Sequence, residues 1–367
     1  MLPVDPQLNI NALARLFDIT TTSYKPLFFK ALLEIVKERG FNSTQRIAVR
    51  ALCERMLFLS LYPNYYFKLS FGPQDMMRHH LKSIGLDKFN TSRVNNKTLV
   101  AAKLLIANNF DQSSAVDLQK YVPFRLLQPF FSKELKGKAD HHKNSLTFKL
   151  AGQEFDQSKP IYRFIENTSK DVELEIHPLW LKYFESNYQI VESWAELNWI
   201  QFLQRRNPNT PAITNKTAPP VRRECLTKQR KFWNEYIQHI GLKCIFTNTP
   251  INLNDYELDH FVPWSFVGHD QQWNLIPINP TTNSSKSNNL PAKQYLKHFI
   301  KIQKSAVQFA ISTNKKSVIE DHLIGLQCTE IELSTYSSQL EHRFYKTIES
   351  LIDMAGLQGF ECGWEAS

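Results

Sequence analysis

Over most of the first 120 residues, apolar positions recur at helical spacing. Phe28, Leu32, Ile35 and Val36 share one face of a segment that Ser23 opens as a cap, with Pro26 in its first turn and Gly40 as its terminator. A second helix fits Ser43 to Leu61, closed by Pro63 ahead of the aromatic run YYFKLSFG. Packing between helices accounts for those rings better than a base-stacking platform does. From about Leu146 the period shortens: LTFKL, then IYRFI and VELEI around the turn NTSK, predict short strands and a hairpin. His177-Pro178 then opens a long aromatic helix through Trp180, Phe184, Trp194, Trp199 and Phe202, with a break near Asn187 and an end near Arg206.

The sharpest boundary is RNPNTPAITNKTAPP, Arg206 to Pro220, whose prolines and short polar residues suit neither helix nor strand and predict a linker. Beyond it, Arg222, Arg223, Lys228, Arg230 and Lys231 crowd a short stretch that leads into a helix carrying Phe232, Trp233, Tyr236 and Ile237. With Thr227 as cap, Lys228, Arg230 and Lys231 would load the helix's positive end, a strain that an approaching phosphate relieves. A solvated linker edge explains the same charges without a ligand. Further on, Leu258, Phe261 and Val262 mark a strand, WNLIPIN a returning strand, and TTNSSKSNN a short polar helix facing the hairpin. Two helices close the chain, the first with Pro291 in its opening turn, the second ending near Gly356. The expected fold is α+β and mainly helical. Residues 1–206 form a helical and mixed recognition domain with a small mixed α/β middle segment, 207–221 a linker, and 222–367 a ββα domain flanked by helices.

Composition narrows the partners. The 367 residues include 44 Lys and Arg against 35 Asp and Glu, a net charge of +9 that favours polyanions such as nucleic acid. With 42% hydrophobic residues, including 25 Phe, 13 Tyr and 7 Trp, the chain has ample apolar surface for folded cores. The sequence contains no membrane-length apolar run and no signal-peptide order at its start, so a cytoplasmic protein is expected. Its five cysteines are scattered without a Cys-x-x-Cys pair, which points to free thiols and away from structural zinc. P-loop, GxGxxG, GxSxG and HExxH motifs are lacking, which disfavours nucleotide hydrolysis, dinucleotide binding, esterase and zinc-protease chemistry. The doublets His79-His80 and His141-His142 read as surface histidines, KGKADHHK as a solvated loop, and Asp117 with Glu134 and Lys136 as a chance likeness to another nuclease pattern.

Chemistry concentrates in residues 244–291. Asp259 and His260 lie inside an apolar strand, where a carboxylate and an imidazole are costly unless partnered. Asp259 offers a hard oxygen ligand and Asn283 a carbonyl oxygen from the facing helix, a sparse set that suits Mg²⁺ completed by water and substrate phosphate. His260 could take the proton of a water attacking phosphorus, provided the strand ends or bends at this pair. Trp264 and Trp273 are expected in the core.

The order His260, Asn274, Asn283, with the flanks DHFVPWSF and NSSKSNNLP, resembles the HNH or ββα-metal nucleases, and in its spacing the HNH domain of CRISPR effector nucleases. The resemblance implies Asp259 and Asn283 as ligands of Mg²⁺, Mn²⁺ or another divalent cation, His260 as general base, Asn274 as a loop-fixing hydrogen bonder and Lys286 as a phosphate contact. Cys244-Ile-Phe-Thr247 stands where many relatives carry a zinc-binding Cys-x-x-Cys. The helical first half is similar to HNH proteins of bacterial antiviral defence. These likenesses imply a metal-dependent endonuclease cutting DNA one strand per event to 5′-phosphate and 3′-hydroxyl ends, with protein partners of a defence system. A non-catalytic nucleic-acid adaptor and an HNH-type RNase are the alternatives.

Overall fold

The computed structural model describes residues 2–42, 46–91, 94–166, 172–220, 225–335 and 338–366. The chain forms two compact units, Met1–Pro208 with Thr217–Pro219, and Asn209–Lys216 with Pro220–Ser367.

In the first unit, helix α1 (Tyr24–Glu38) buries Leu27, Phe28, Leu32, Ile35 and Val36, the face its spacing predicts. Ser23 precedes it without a side-chain capping bond; instead its backbone N–H donates to Asp75 Oδ2 at 2.6 Å. Helix α2 (Val49–Leu61) starts later than expected because Arg46–Ala48 form strand β1; residues 43–45 lie outside the described residues. Pro63 does not close α2. A π-helical turn, Tyr62–Tyr66, carries the chain on, and the proline sits near its start, where a missing N–H costs little. The aromatics that follow are core: Tyr66, Phe67 and Phe71 are buried, Phe71 against Trp199 at 5.3 Å. Helix α3 (Leu118–Leu127) leads to α4 (Asp140–Gln153), and here the expectation fails: LTFKL is helical. Its buried residues, Thr147 and Ala151, are four apart, a helical interval that a five-residue window read as alternation. The helix begins at Asp140, so His141 and His142 are exposed on its first turn and not in a loop. His80 is also a correction: it is buried, and its Nδ1 lies 2.9 Å from Ser114 Oγ.

Strands β2 (Tyr162–Glu166) and β3 (Val172–Ile176) pair antiparallel, Tyr162 opposite Ile176, and β1 adds to the other edge of β3. The NTSK turn between them lies outside the described residues. Helix α5 (Pro178–Arg206) starts with His177 as cap, its Nδ1 accepting from Leu179 N–H at 3.2 Å, and breaks at Asn187 (φ −123°, ψ 20°) as expected.

The second unit takes in residues 209–216, part of the expected linker. Ile213 is 2% and Lys216 0% exposed, because an apolar side chain and a lysine with carbonyl acceptors fold back onto the unit. Helix α6 (Thr227–Ile240) buries Phe232, Trp233, Tyr236 and Ile237; Leu226 occupies the cap position, so Thr227 is the first helical residue and not the cap. Strands β4 (Glu257–His260) and β5 (Leu275–Ile278) form an antiparallel pair, followed by the short helix α7 (Pro280–Lys286). Helices α8 (Leu296–Ser312), α9 (Lys316–Leu326) and α10 (Ser338–Leu357) complete the unit. Pro291 lies outside the opening turn of α8 and bridges to Trp364. Phe261 stacks on Phe299 at 4.1 Å, anchoring the hairpin to α8. Among the described residues no helix is long and apolar enough to cross a membrane.

Candidate active site

The hairpin is framed at both ends. Ahead of it, the turn 244–249 is closed by backbone bonds, Cys244 N–H to Thr249 O and Asn248 N–H to Cys244 O, both 2.8 Å, with Asn248 in the left-handed region at φ 58°. Cys244 is buried beneath the turn. Between the strands, the loop is pinned by Asn274. Val262 N–H donates to its Oδ1 and its Nδ2 donates to Val262 O, each at 2.9 Å, while Phe261 N–H donates to its backbone carbonyl at 2.8 Å. A fully buried asparagine with both amide atoms satisfied fixes a loop rigidly, because losing either bond would strand a polar group away from water.

Strand β4 ends at His260, so Asp259 and His260 stand at its last two positions, opposite Ile276 and Leu275. Both are 6% exposed. Lys286, at the last residue of α7 and 0% exposed, ties them together: its ammonium lies 3.0 Å from Asp259 Oδ2 and donates to His260 O at 2.9 Å. The contact with Oδ2 is an ion pair by distance, but its angle makes no hydrogen bond, so that buried oxygen lacks a hydrogen-bond donor. Lys286 thus reaches Asp259 and the strand end, at the position where the resemblance implied a phosphate contact. Asn283, one turn earlier and half-buried, donates from Nδ2 to Glu257 Oε2 at 2.5 Å. Helix α7 therefore brings Asn283 and Lys286 to the same strand that carries Asp259 and His260. Asp259 and Asn283 supply the oxygens that could hold a cation; among the described residues no three His, Cys, Asp or Glu gather into a metal-holding group.

Four residues that the sequence reading passed over complete the site. Asp270 Oδ1 lies 2.8 Å from His260 Nε2. Its neighbour His269 is pulled down to about 4, first by burial and then by His260 beside it, which keeps that ring neutral. Lys216 donates from Nζ to Pro211 O at 2.6 Å and to Phe266 O, and burial pulls it down to about 7. Asn215 Nδ2 donates to Gly268 O at 3.0 Å. Gly268 itself has φ +71°, and a Cβ there would meet that of Ala212 at 2.9 Å. Residues 209–216 thus brace the stretch that presents Asp270. The spacing of Asp270, ten residues after His260 in a polar loop, was the signal available for it.

The basic stretch is less concentrated than its sequence suggested. Arg222 and Arg223 lie outside the described residues, Lys228 and Lys231 are exposed on α6, and Arg230 is committed to the fold. Its guanidinium sits 4.6 Å over the Tyr256 ring and donates to Tyr256 O at 3.0 Å.

No curated protein and no solved structure matches the chain. The HNH endonuclease family model does, over residues 244–292, from the buried Cys244 turn to the residue after Pro291, and this span contains Asp259, His260, Asp270, Asn274, Asn283 and Lys286. A strand pair and a helix holding those groups, matched by that family over the same residues, make this segment an HNH endonuclease domain, whose type implies a nucleic-acid substrate.

Proposed function

We propose that the second unit is a metal-dependent endonuclease that hydrolyses DNA phosphodiester bonds, with Mg²⁺ or Mn²⁺ held by Asp259 and Asn283. One observation carries this reading: the buried Asp259 carboxylate, one oxygen of which meets only the Lys286 ammonium, sits on the strand that Asn283 of the following helix also reaches through Glu257. A buried carboxylate is costly unless cationic charge meets it, and a hard divalent cation is a partner such oxygens suit. When bound, the cation would stabilise charge developing on the leaving oxygen.

The chain's own groups supply the rest. His260, with Nε2–H donated to Asp270, has Nδ1 as its basic nitrogen and takes a proton from the attacking water. The water oxygen bonds phosphorus as the bond to the 3′ oxygen breaks, and that departing oxygen takes a proton from solvent, leaving 5′-phosphate and 3′-hydroxyl ends. Asp270 fixes the ring's tautomer and orientation, as a carboxylate behind a catalytic imidazole does. Lys286 acts through Asp259 and the strand end as a positioning residue, while Lys228, Lys231, Arg222 and Arg223 remain proposed phosphate contacts. Antiviral defence, with DNA of an invader as target, extends this reading on the likeness of the helical half.

A plasmid-relaxation assay with full-length chain tests it. Wild type is expected to nick with Mg²⁺ and stop in EDTA, while His260→Ala and Asn283→Ala lose roughly 10²-fold or more of the rate and keep DNA binding. Cleavage that survives His260→Ala or EDTA overturns the proposal. Cleavage of matched RNA but not DNA transfers it to an RNase, and unaltered biological activity in His260→Ala supports the non-catalytic adaptor.

A further inference from the structure

The first unit contains a cavity of about 340 Å³ that no step of the hydrolysis uses. Its lining has two characters. Ile19, Met76 and Tyr121, which are 77%, 47% and 52% exposed, hold apolar surface open to water there. Lys25 and Arg125 bring two cations to the same space. Neither forms an ion pair among the described residues, for the carboxylates nearby are engaged elsewhere: Asp18 with Arg15 at 3.4 Å, Asp140 with Lys143 at 2.8 Å, and Asp117, which also lines the cavity, with Lys120 at 2.6 Å. The Lys25 ammonium makes one bond, to Ile19 O at 3.2 Å, and the Arg125 guanidinium lies 5.5 Å from the Tyr121 ring centre. Burial, and next the charge of Arg125, pulls Lys25 below the ordinary lysine range. Two like charges facing one cavity repel until an anion enters between them.

We propose that this cavity binds a nucleoside monophosphate, free or as the phosphorylated end of a strand, with the phosphate between Lys25 and Arg125 and the base against Tyr121, Met76 and Ile19. The chemistry is the joint demand of the lining: a compact dianion, which a guanidinium and an ammonium recognise, joined to a flat, largely apolar body, which an exposed tyrosine next to the guanidinium stacks. The volume lies at the small end of ligand pockets, room for one nucleotide and not for a duplex. Lys25, Tyr121 and Arg125 lie on α1 and α3, so the ligand would be held by two packed helices.

Calorimetry on the full chain in EDTA, where a divalent metal site cannot contribute, tests this with AMP, GMP, CMP and UMP, with adenosine and inorganic phosphate as half-ligands. At least one nucleotide is expected to bind one-to-one with Kd below ~1 mM, about tenfold or more tighter than either half-ligand. Lys25→Gln, at a half-buried side chain, and Arg125→Gln, at an exposed one, should each weaken it about tenfold, and Tyr121→Ala should weaken the nucleotide but not inorganic phosphate. A 5′-phosphorylated tetranucleotide binding tighter than the free nucleotide, and tighter than its 5′-hydroxyl form, identifies a strand end as the source; the reverse order identifies a free nucleotide. Absence of binding by all four nucleotides, binding untouched by both charge substitutions, or phosphate binding as tightly as the nucleotide overturns the proposal. None of these outcomes depends on whether the plasmid is cut.

Discussion

At the residue scale, the site is a set of buried polar groups that hold one another. His260 leans on Asp270, Asp259 on Lys286, and Lys286 also on the His260 carbonyl, so the two adjacent strand residues share a single ammonium. Asp270→Asn tests the first link. The amide keeps the shape but can offer its N–H to Nε2 and favour the wrong tautomer, so cleavage should slow roughly 10- to 100-fold with substrate KM nearly unchanged. A matching fall in both parameters, or none in kcat, would remove Asp270 from the orienting role. Much of the site was legible at this scale because Asp259, His260, Asn274, Asn283 and Lys286 lie within one hairpin and its following helix, where chain spacing alone nearly fixes geometry. Asp270 was not singled out because an acid in a polar loop looks like solvent-facing sequence until its partner is seen.

At the element scale, the hairpin is supported from outside by α8 and α9, which the pattern read only in part. Gln303 of α8, wholly buried, donates to Leu275 O at 2.7 Å and satisfies the open side of β5. Its other amide atom meets His322 of α9, Nε2 to Oε1 at 3.2 Å, and His322 Nδ1 stands 2.7 Å from Val318 O. Asp321 Oδ2 accepts from Gln272 N–H at 2.9 Å, and Gly325 lies so near Trp273 that a Cβ there would sit 2.0 Å from the indole nitrogen. Burial pulls His322 down to about 4 from an ordinary 6.5. The unfolded chain therefore binds this proton below pH 6.5 while the folded one refuses it until about 4, so stability is full above 6.5 and falls as pH drops through that window, by on the order of 3 kcal/mol for this group. Urea midpoints at pH 7 and 4.5 should show the loss in wild type and a shallower one in His322→Asn, the remainder including His269, which is shifted the same way. Equal slopes would mean that the imidazole charges within the fold. A polar path from one helix through a second to a strand edge has no short-range signature, which is why the pattern showed amphipathic helices but not what they hold.

At the scale of the whole chain, composition pointed to a polyanion partner without locating it. The excess of 9 positive charges is dispersed: Arg230 is bound into the fold, Lys216 and Lys286 are buried, and Lys25 and Arg125 face a cavity. That cavity joins residues from 19 to 125, a separation over which no periodicity carries information. The segment 206–220 was legible as irregular but not as ordered, since proline-rich sequence says what a stretch cannot form and not what it packs on. Its lysine at 216 grips a carbonyl fifty residues downstream, at the base of the loop that ends in Asp270. Anyone excising the catalytic half at residue 222 would leave that brace behind. A piece starting at 209 should melt cooperatively several degrees above one starting at 222 in a thermal scan and cut faster, and equal melting of the two would show the brace to be ornamental.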